Sequence, residues 1–382
     1  MRTLFKSVLT LFALVYLSAC RELYEPEVNQ LDQRVLVVEG YLDSEGLKSE
    51  LRISKTSDLG VDSSPSPELG ALVELISSSG ITYPLVEEGD GLYVFQKDIL
   101  EENTYQLSIR LSNGEQVLSD PIQPILTPPI LEAGFVKDES GIEVFVNTQG
   151  DENADDFLWT YEETWIFLPR VRVTFIYKPG EGVVNRNDDE RIDLCYKTER
   201  NAGVLLETSS RFEDQVVFRQ TIKEFEEGDP RMQKRYSILV SQKAIPQEAV
   251  EFWETLKRNS EDIGTVFSPL PSLIGGNLHF VENQNRPVVG QVGIGVVQQS
   301  RIFIDREEIL PWEIFTPEFD DCFIGTDTIR TSMYGQTFSS GAVLPARVVP
   351  GPMGPLGYFT TARRCADCTL YAEREKPDFW ID

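Results

Sequence analysis

Strict alternation of apolar and polar residues, cut every few positions by glycine, proline or Asn-Gly, confines this chain to short antiparallel strands. "TYQLSIRLSNGEQVLSD" alternates on both sides of Asn113-Gly114, the residue pair preferred in two-residue hairpin turns because both positions tolerate positive φ. "RVLVVEGYL" and "SELRISK" read as strands, and "PLVEEGDGLYVFQKDI" breaks at a Gly/Asp turn. About six or seven such strands over residues 34–124 predict an immunoglobulin-like or transthyretin-like β-sandwich. Pro121, Pro124, Pro128 and Pro129 follow. Without N–H groups they cannot carry a ladder, so Pro121 to Pro129 read as a stiff linker.

Residues 130–382 are again strand-rich, with "GIEVFVNTQG", "RVRVTFIYKPG" and "NLHFVENQNRPVVGQVGIGVVQQSRIFID". They predict a larger antiparallel β-rich domain. One segment, "IPQEAVEFWETLKRNSEDIG", reads as a helix: Pro246 stands near its start and Ala249, Phe252, Trp253 and Leu256 recur at helical spacing. Its aromatic face is expected to pack on a sheet. The Pro/Gly-rich "LPARVVPGPMGPLGYFTTARRC" is expected to be a long ordered loop or a mobile flap. The fold class is therefore mainly β, two β-rich domains with a short helix.

The N-terminus carries an address. In "MRTLFKSVLTLFALVYLSAC" Arg2 and Lys6 precede an apolar run from Val8 to Leu17, the layout of a signal peptide over residues 1–19. A membrane span needs about 20 apolar residues, more than this run supplies. "LSAC" is a bacterial lipobox, which makes Cys20 the lipid-bearing first residue of the mature chain. A tether over 20–33 follows, and a flexible segment of that size reaches roughly 20 Å. Glu22, Glu25 and Glu27 in it resemble the acidic surface-export signals of Bacteroidota lipoproteins. The expected location is the outer membrane, lipid-anchored, on the cell-surface face.

Without residues 1–19, 33 basic residues face 62 acidic ones, a net charge near −29 with His279 neutral. That surface repels phosphate backbones and lacks the basic stripe of a nucleic-acid-binding protein. Four cysteines remain after Cys20: Cys195, Cys322, Cys365 and Cys368. "CADC" can serve as half a zinc site or as a redox pair, but an even count in an exported chain points to two disulfides. A Cys365–Cys368 bridge would close a tiny ring and restrain little. Bonds from each of these two to Cys195 and Cys322 would close long loops and pin the tail, and these are expected, in either pairing.

No nucleophile elbow, P-loop, zincin helix or dinucleotide fingerprint occurs; "GQVGIG" has the wrong spacing for the last. His279, in "NLHF", is expected to be a strand histidine satisfied by its neighbours. The pairs Asp155-Asp156, Asp188-Asp189 and Asp320-Asp321 lack the ligand spacing of a calcium loop, so neither metal nor cofactor is expected. In "DDFLWTYEETWIF", Phe157, Trp159 and Tyr161 fall on one strand face and Leu158, Thr160 and Glu162 on the other. The aromatic row is expected to cover a core, the alternative being a stacking surface for sugars or apolar ligands.

Taken together, "LVVEGYL", "WTYEETW", "CYKTE", "RYSILVSQKAIPQEAVEFWETLK", "FSPLPSLIGGNLHF", "VVGQVGIGVVQQSRIFI" and "CADC…KPDFW" resemble the lipoproteins of domain-of-unknown-function family 4249. The tail departs from them in lacking a glycine pair before "KPDFW". The resemblance implies a Bacteroidota lipoprotein encoded beside a TonB-dependent outer-membrane receptor, and it brings no catalytic or ligand-binding residues with it. The expected function is a non-catalytic ligand-capture or accessory partner of a TonB-dependent uptake receptor. The alternatives are a structural or adhesive envelope lipoprotein and a hydrolase with an unrecognised carboxylate pair.

Overall fold

A computed structural model describes residues 34–56, 65–201, 203–261, 275–316 and 319–381. The signal segment 1–19, Cys20 and the tether 20–33 lie outside the described residues. Nine strands come first: β1 (Leu36–Asp43), β2 (Ser49–Lys55), β3 (Ser66–Pro67), β4 (Leu72–Ser77), β5 (Thr82–Pro84), β6 (Val86–Gly89), β7 (Leu92–Phe95), β8 (Tyr105–Arg110) and β9 (Gln116–Ser119). They form two layers, β1-β2-β7-β6 with β3 on β2, and β9-β8-β4-β5. Alternate residues point inward, so Val38, Leu51 and Ile53 of one layer meet Leu75, Leu107 and Ile109 of the other in one core.

Two turns differ from each other for a backbone reason. Asp90 and Gly91 both have positive φ, 50° and 70°, and make the two-residue turn between β6 and β7. At Asn113-Gly114, where that turn was expected, only Gly114 is left-handed, at 92°. There the Gly114 N–H donates to Leu111 O and the Leu111 N–H to Glu115 O, a three-residue loop with glycine at its end.

The chain then builds a second sandwich. Its strands are β10 (Ile130–Lys137), β11 (Ile142–Gln149), β12 (Asp156–Phe167), β13 (Phe175–Lys178), β14 (Gly182–Asn185), β15 (Cys195–Arg200), β16 (Leu205–Thr208), β17 (Val216–Phe225) and β18 (Arg235–Ala244), with helix α1 (Gln247–Glu261) after them. Later come β19 (Leu278–Phe280), β20 (Val288–Val289), β21 (Gly293–Gly295), β22 (Val297–Asp305), a short helix α2 (Tyr334–Phe338), β23 (Val343–Gly351) and β24 (Gly354–Ala362). Sheet β10-β11-β17 packs on sheet β15-β12-β18-β22, in which β16 also pairs with β12. The core between them holds Phe157 and Trp159, both fully buried, with Tyr161 at its margin. The aromatic row of β12 thus covers a core.

Two expectations about the second region are corrected. It is not continuous from 130 to 382, because β19 pairs with β9, and β20 and β21 pair in parallel with β1. Leu278, Phe280, Val288 and Ile294 complete the first sandwich's core; local alternation marks a strand but not its partner. The Pro/Gly-rich stretch is neither loop nor flap but the β23–β24 hairpin, whose register shifts beside Pro345 and Pro350. A two-stranded ribbon leaves alternate N–H groups unbonded, so proline at bulges and outward positions is tolerated. The linker is stitched down as well: the Thr127 hydroxyl accepts from Ala244 N at 2.9 Å, and Gln242 donates to Pro128 O at 2.8 Å.

Two polar clusters inside the second sandwich are paired. The Trp159 indole N–H donates to Gln242 Oε1 at 2.9 Å, and Gln242 Nε2 donates to Thr148 Oγ1 at 2.9 Å. Glu163, 3% exposed, takes Arg231 at 2.5 Å and the Tyr236 hydroxyl at 2.9 Å. Arg231 also grips Asp229 through Nη2 at 2.6 Å and lies 4.8 Å over the Phe225 ring. Burial opposes charge on Asp229, yet the bonds from Arg231 hold its carboxyl below the usual carboxylate range.

The cysteines pair as Cys195–Cys368 and Cys322–Cys365, each cysteine of "CADC" taking one of the earlier two. The separations are 173 and 43 residues, worth about 5 and about 4 kcal/mol in the chain-entropy account. Beyond them Trp380 is buried against Tyr196 and Phe303, at ring distances of 5.2 and 5.8 Å.

Non-reducing peptide mapping is expected to recover these two linkages; a Cys365–Cys368 peptide or bound zinc would contradict them. Arg231→Met is expected to destabilise the fold by about 3–5 kcal/mol in urea unfolding, because it leaves Glu163 buried and unpaired. Adding Glu163→Gln should recover more than half of that loss, and an additive double mutant would show that the pair is uncoupled.

Candidate functional site

The face of sheet β15-β12-β18-β22 opposite the core is set by the same period of two. With Trp159 and Gln242 turned inward, Leu158, Thr160 and Glu162 of β12 and Leu239, Ser241 and Lys243 of β18 turn outward. Pairing registers then put these residues in rows. Lys243 stands between Leu158 and Val297, with Leu206 beyond Leu158. Thr160, Ser241 and Gln299 form the next row, and Glu162, Leu239 and Arg301 the one after.

α1 covers one end of this face. Pro246 precedes its first residue and fits a helix start, where the missing N–H has no helical partner to lose. Ala249 and Trp253 pack with Leu158, Ile245 and Tyr41, the face expected from the helical spacing. Opposite the helix stands the first sandwich, through Tyr41 of β1 and Glu50 and Arg52 of β2. The result is a cleft of about 640 Å³ whose floor is the outer face of the sheet, a size ordinary for small-molecule sites.

The two walls are joined by direct bonds. The Tyr41 hydroxyl donates to Ala244 O at 3.0 Å, and Asp43 Oδ2 accepts from Val297 N at 2.8 Å. The Tyr41 ring lies on β21: a Cβ added at Gly293 would sit 2.7 Å from the ring, and one at Gly295 2.5 Å from its hydroxyl. Those glycines of "GQVGIG" are there for close approach of an aromatic ring, not of a dinucleotide. At the rim Arg200 Nη1 bonds Glu50 at 2.7 Å and its Nε bonds Glu162 at 3.0 Å, spanning the two sandwiches.

Lys243 is the chemically distinctive group of the floor. Its Nζ donates to Thr160 Oγ1 at 3.3 Å and lies 5.8 Å over the Tyr41 ring. Among the described residues no carboxylate forms an ion pair with it. It is partly accessible from the cleft but packed closely by protein, and desolvation lowers its pKa from 10.5 to about 8. Burial likewise pushes the Tyr41 hydroxyl well above its ordinary value, a bond with Thr127 working against it. The floor therefore offers one poorly hydrated ammonium beside neutral hydroxyl donors.

The family model described as "Domain of unknown function (DUF4249)" matches residues 21–301. The chain belongs to the DUF4249 family. A search of curated proteins finds no match. The DUF4249 span takes in every residue named above on the floor and walls of the cleft. It ends before the β23–β24 hairpin and the "CADC" tail, so the tail motif in the resemblance lies beyond the matched residues.

A second cleft of about 660 Å³ lies mainly outside the DUF4249 span, between the β13–β14 hairpin and α2. Its arginines are already committed: Arg186 donates to Phe175 O at 3.1 Å, Arg363 to Asp367 at 2.7 Å, and Arg374 to Asp189 O. The remaining sequence candidates are scattered. His279 is on the outer face of β19, half exposed, 3.4 Å from Asp120. Asp156 is buried, and desolvation raises its pKa while a bond from Thr208 opposes that; Asp321 pairs with Arg364. No cluster of three or more metal-ligating side chains occurs among the described residues. Lys243 was not singled out from the sequence, although the alternation in "SILVSQKAIP" puts it on the face of Leu239, Ser241 and Ile245, opposite Ile238 and Val240.

A lowered lysine pKa means that the unfolded chain binds an extra proton between pH 8 and 10.5, so this group's contribution to stability rises with pH in that window. Below pH 8 the charged, poorly hydrated amine opposes folding. Lys243→Met is expected to be more stable than the parent by about 1–3 kcal/mol at pH 7, with the difference fading by pH 10.5 in urea titrations. A constant difference across that range would contradict the desolvated state of the amine.

Proposed function

We propose that this chain is a lipid-anchored outer-membrane binding protein that seats a small ligand in the cleft over Lys243 and works with a TonB-dependent uptake receptor. The observation that carries the reading is the cleft itself: a concave, mostly apolar space with one underhydrated cation on its floor and walls bonded to each other. Burying a lone ammonium costs stability, and a site that binds a ligand is where such a cost has a use.

Three further features support it. The lipobox at Cys20 holds the mature chain at a membrane, and Glu22, Glu25 and Glu27 fit export to the cell surface. Two disulfides suit an oxidising compartment. Tethering near the membrane raises the effective concentration of the chain for a receptor in that membrane, so a modest interface suffices.

Gentle detergent extraction of the native chain, with crosslinking and native mass spectrometry, is expected to recover a TonB-dependent receptor and a bound small molecule. Cys20→Ala should release the chain from the membrane fraction. Thr160→Trp, which fills the cleft floor, should abolish the small-molecule adduct in a chain that still unfolds cooperatively, at a lowered midpoint because Lys243 loses its hydrogen-bond acceptor. An adduct that survives Thr160→Trp would remove the cleft from the proposal, and recovery of no receptor would remove the uptake role.

A further inference from the structure

We propose that the cleft takes an amphiphile with an apolar body and a single anionic oxygen head, the head on Lys243 and the body along α1. This rests on the cleft being the ligand seat and adds what kind of molecule sits there.

The head follows from the donors. Lys243 Nζ donates to Thr160 Oγ1, which leaves the Thr160 hydroxyl proton free to point elsewhere. In the same row Gln299 Nε2 donates to Ser241 Oγ at 2.9 Å, leaving the Ser241 proton free in turn. Thr160 and Ser241 are register partners on adjacent strands. One ammonium with unused N–H donors and two adjacent hydroxyls, each already accepting one bond and keeping its own proton, thus face the cleft, the complement of a carboxylate or similar oxyanion. The rim carboxylates do not compete: Glu50 and Glu162 are both held by Arg200, and Glu39 is exposed to water.

The body follows from the neighbours of that cradle. Leu158, Val204 and Ile245 on the sheet side and Ala249, Trp253 and Leu256 on α1 line the same space. α1 turns no charged side chain into it among the described residues. A ligand whose charge is confined to one end buries apolar surface on α1 and satisfies Lys243 together, whereas a uniformly polar ligand would strand its polar groups against that wall.

Chain free of lipid, prepared with the signal segment and Cys20 removed, is titrated calorimetrically with dodecanoate, acetate and dodecyltrimethylammonium, the two amphiphiles below their micelle concentrations. Dodecanoate is expected to bind one to one, at least tenfold more tightly than either other probe. Lys243→Met should weaken it at least tenfold. The affinity of the parent should fall as pH rises from 7 through 8 to 9.5, as the ammonium is lost, whereas Lys243→Arg should bind with an affinity that is flat over that range. The charged or titratable groups lining the cleft around Lys243 are Glu39 and Tyr41 of β1, Lys48 just before β2, Glu50 and Arg52 of β2, Tyr161 and Glu162 of β12 and Arg200 of β15. Carboxylates and guanidinium groups do not change charge between pH 7 and 9.5, and burial pushes Tyr41 and Tyr161 above their usual range. Lys48 is paired with Glu88 at the rim and is common to the parent and Lys243→Arg, so the flat profile of that variant separates Lys243 from it.

Equal or tighter binding of dodecyltrimethylammonium, or an unchanged dodecanoate affinity in Lys243→Met, would overturn the anionic head. Acetate binding as tightly as dodecanoate would overturn the apolar body, and binding of none of the three would overturn both. Each of these leaves the cleft as ligand seat to be judged by the Thr160→Trp adduct experiment, so the two failures are distinct.

Discussion

The hydrogen bonds of one buried amide set the register on which the rest of the second sandwich depends. Gln242 is inaccessible to solvent, and its three bonds, from Trp159 and to Thr148 and Pro128, tie β12, β11 and the linker to β18. A one-residue slip of β18 would carry Gln242 out of these bonds and drive Lys243 into the core beside Trp159. That alternative loses a satisfied amide and buries a charge, so the register is strongly specified. The cleft floor is the other face of the same decision.

The walls of the cleft are held by backbone and hydroxyl contacts rather than by surface ion pairs. Tyr41 bonds to Ala244, Thr127 bonds to the same residue, Asp43 receives the Val297 N–H, and Ile125 pairs in parallel with Gly295. All four gather where β18 ends and β21 passes into β22. Arg200 also bridges the two sandwiches, but it is largely exposed, and such pairs contribute little. The return of β19–β21 to the first sandwich makes the junction a double crossing of the chain, which resists hinge motion better than one linker would.

The C-terminal tail guards the other end of the outer face. The Cys195–Cys368 bond fixes the tail to the first residue of β15, and Tyr196 and Glu373 exchange backbone bonds just beyond it. Trp380 then closes over Ile166 and Tyr196, while Arg301 stacks 3.5 Å from the Phe379 ring. With α1 at one end and the tail at the other, the open part of the face is the stretch around Thr160 and Ser241. The disulfides therefore bear on the shape of the face without lining the cleft.

Much of this was legible from local pattern. The β class, the helix with its Ala249 and Trp253 face, the core position of Phe157 and Trp159, and the engagement of Cys365 and Cys368 with earlier cysteines all follow from periodicity of two or 3.6 residues and from ring size. The DUF4249 resemblance was carried by ordered segments in the same way. What the residues could not say alone was which strand neighbours which. Alternation marks "NLHF" and "GQVGIG" as extended, but their partners β9 and β1 lie more than 150 residues earlier in the chain. The hairpin at β23–β24 was hidden because proline and glycine read as loop until a partner strand is present to leave their positions unbonded. Lys243 was legible as a residue on the outward, mixed face of its strand, yet nothing local distinguishes a lysine reaching water from one held in a cleft. Only the packing of the first sandwich and α1 over that face removes the water, and desolvation is a property of the assembled neighbourhood rather than of the residue.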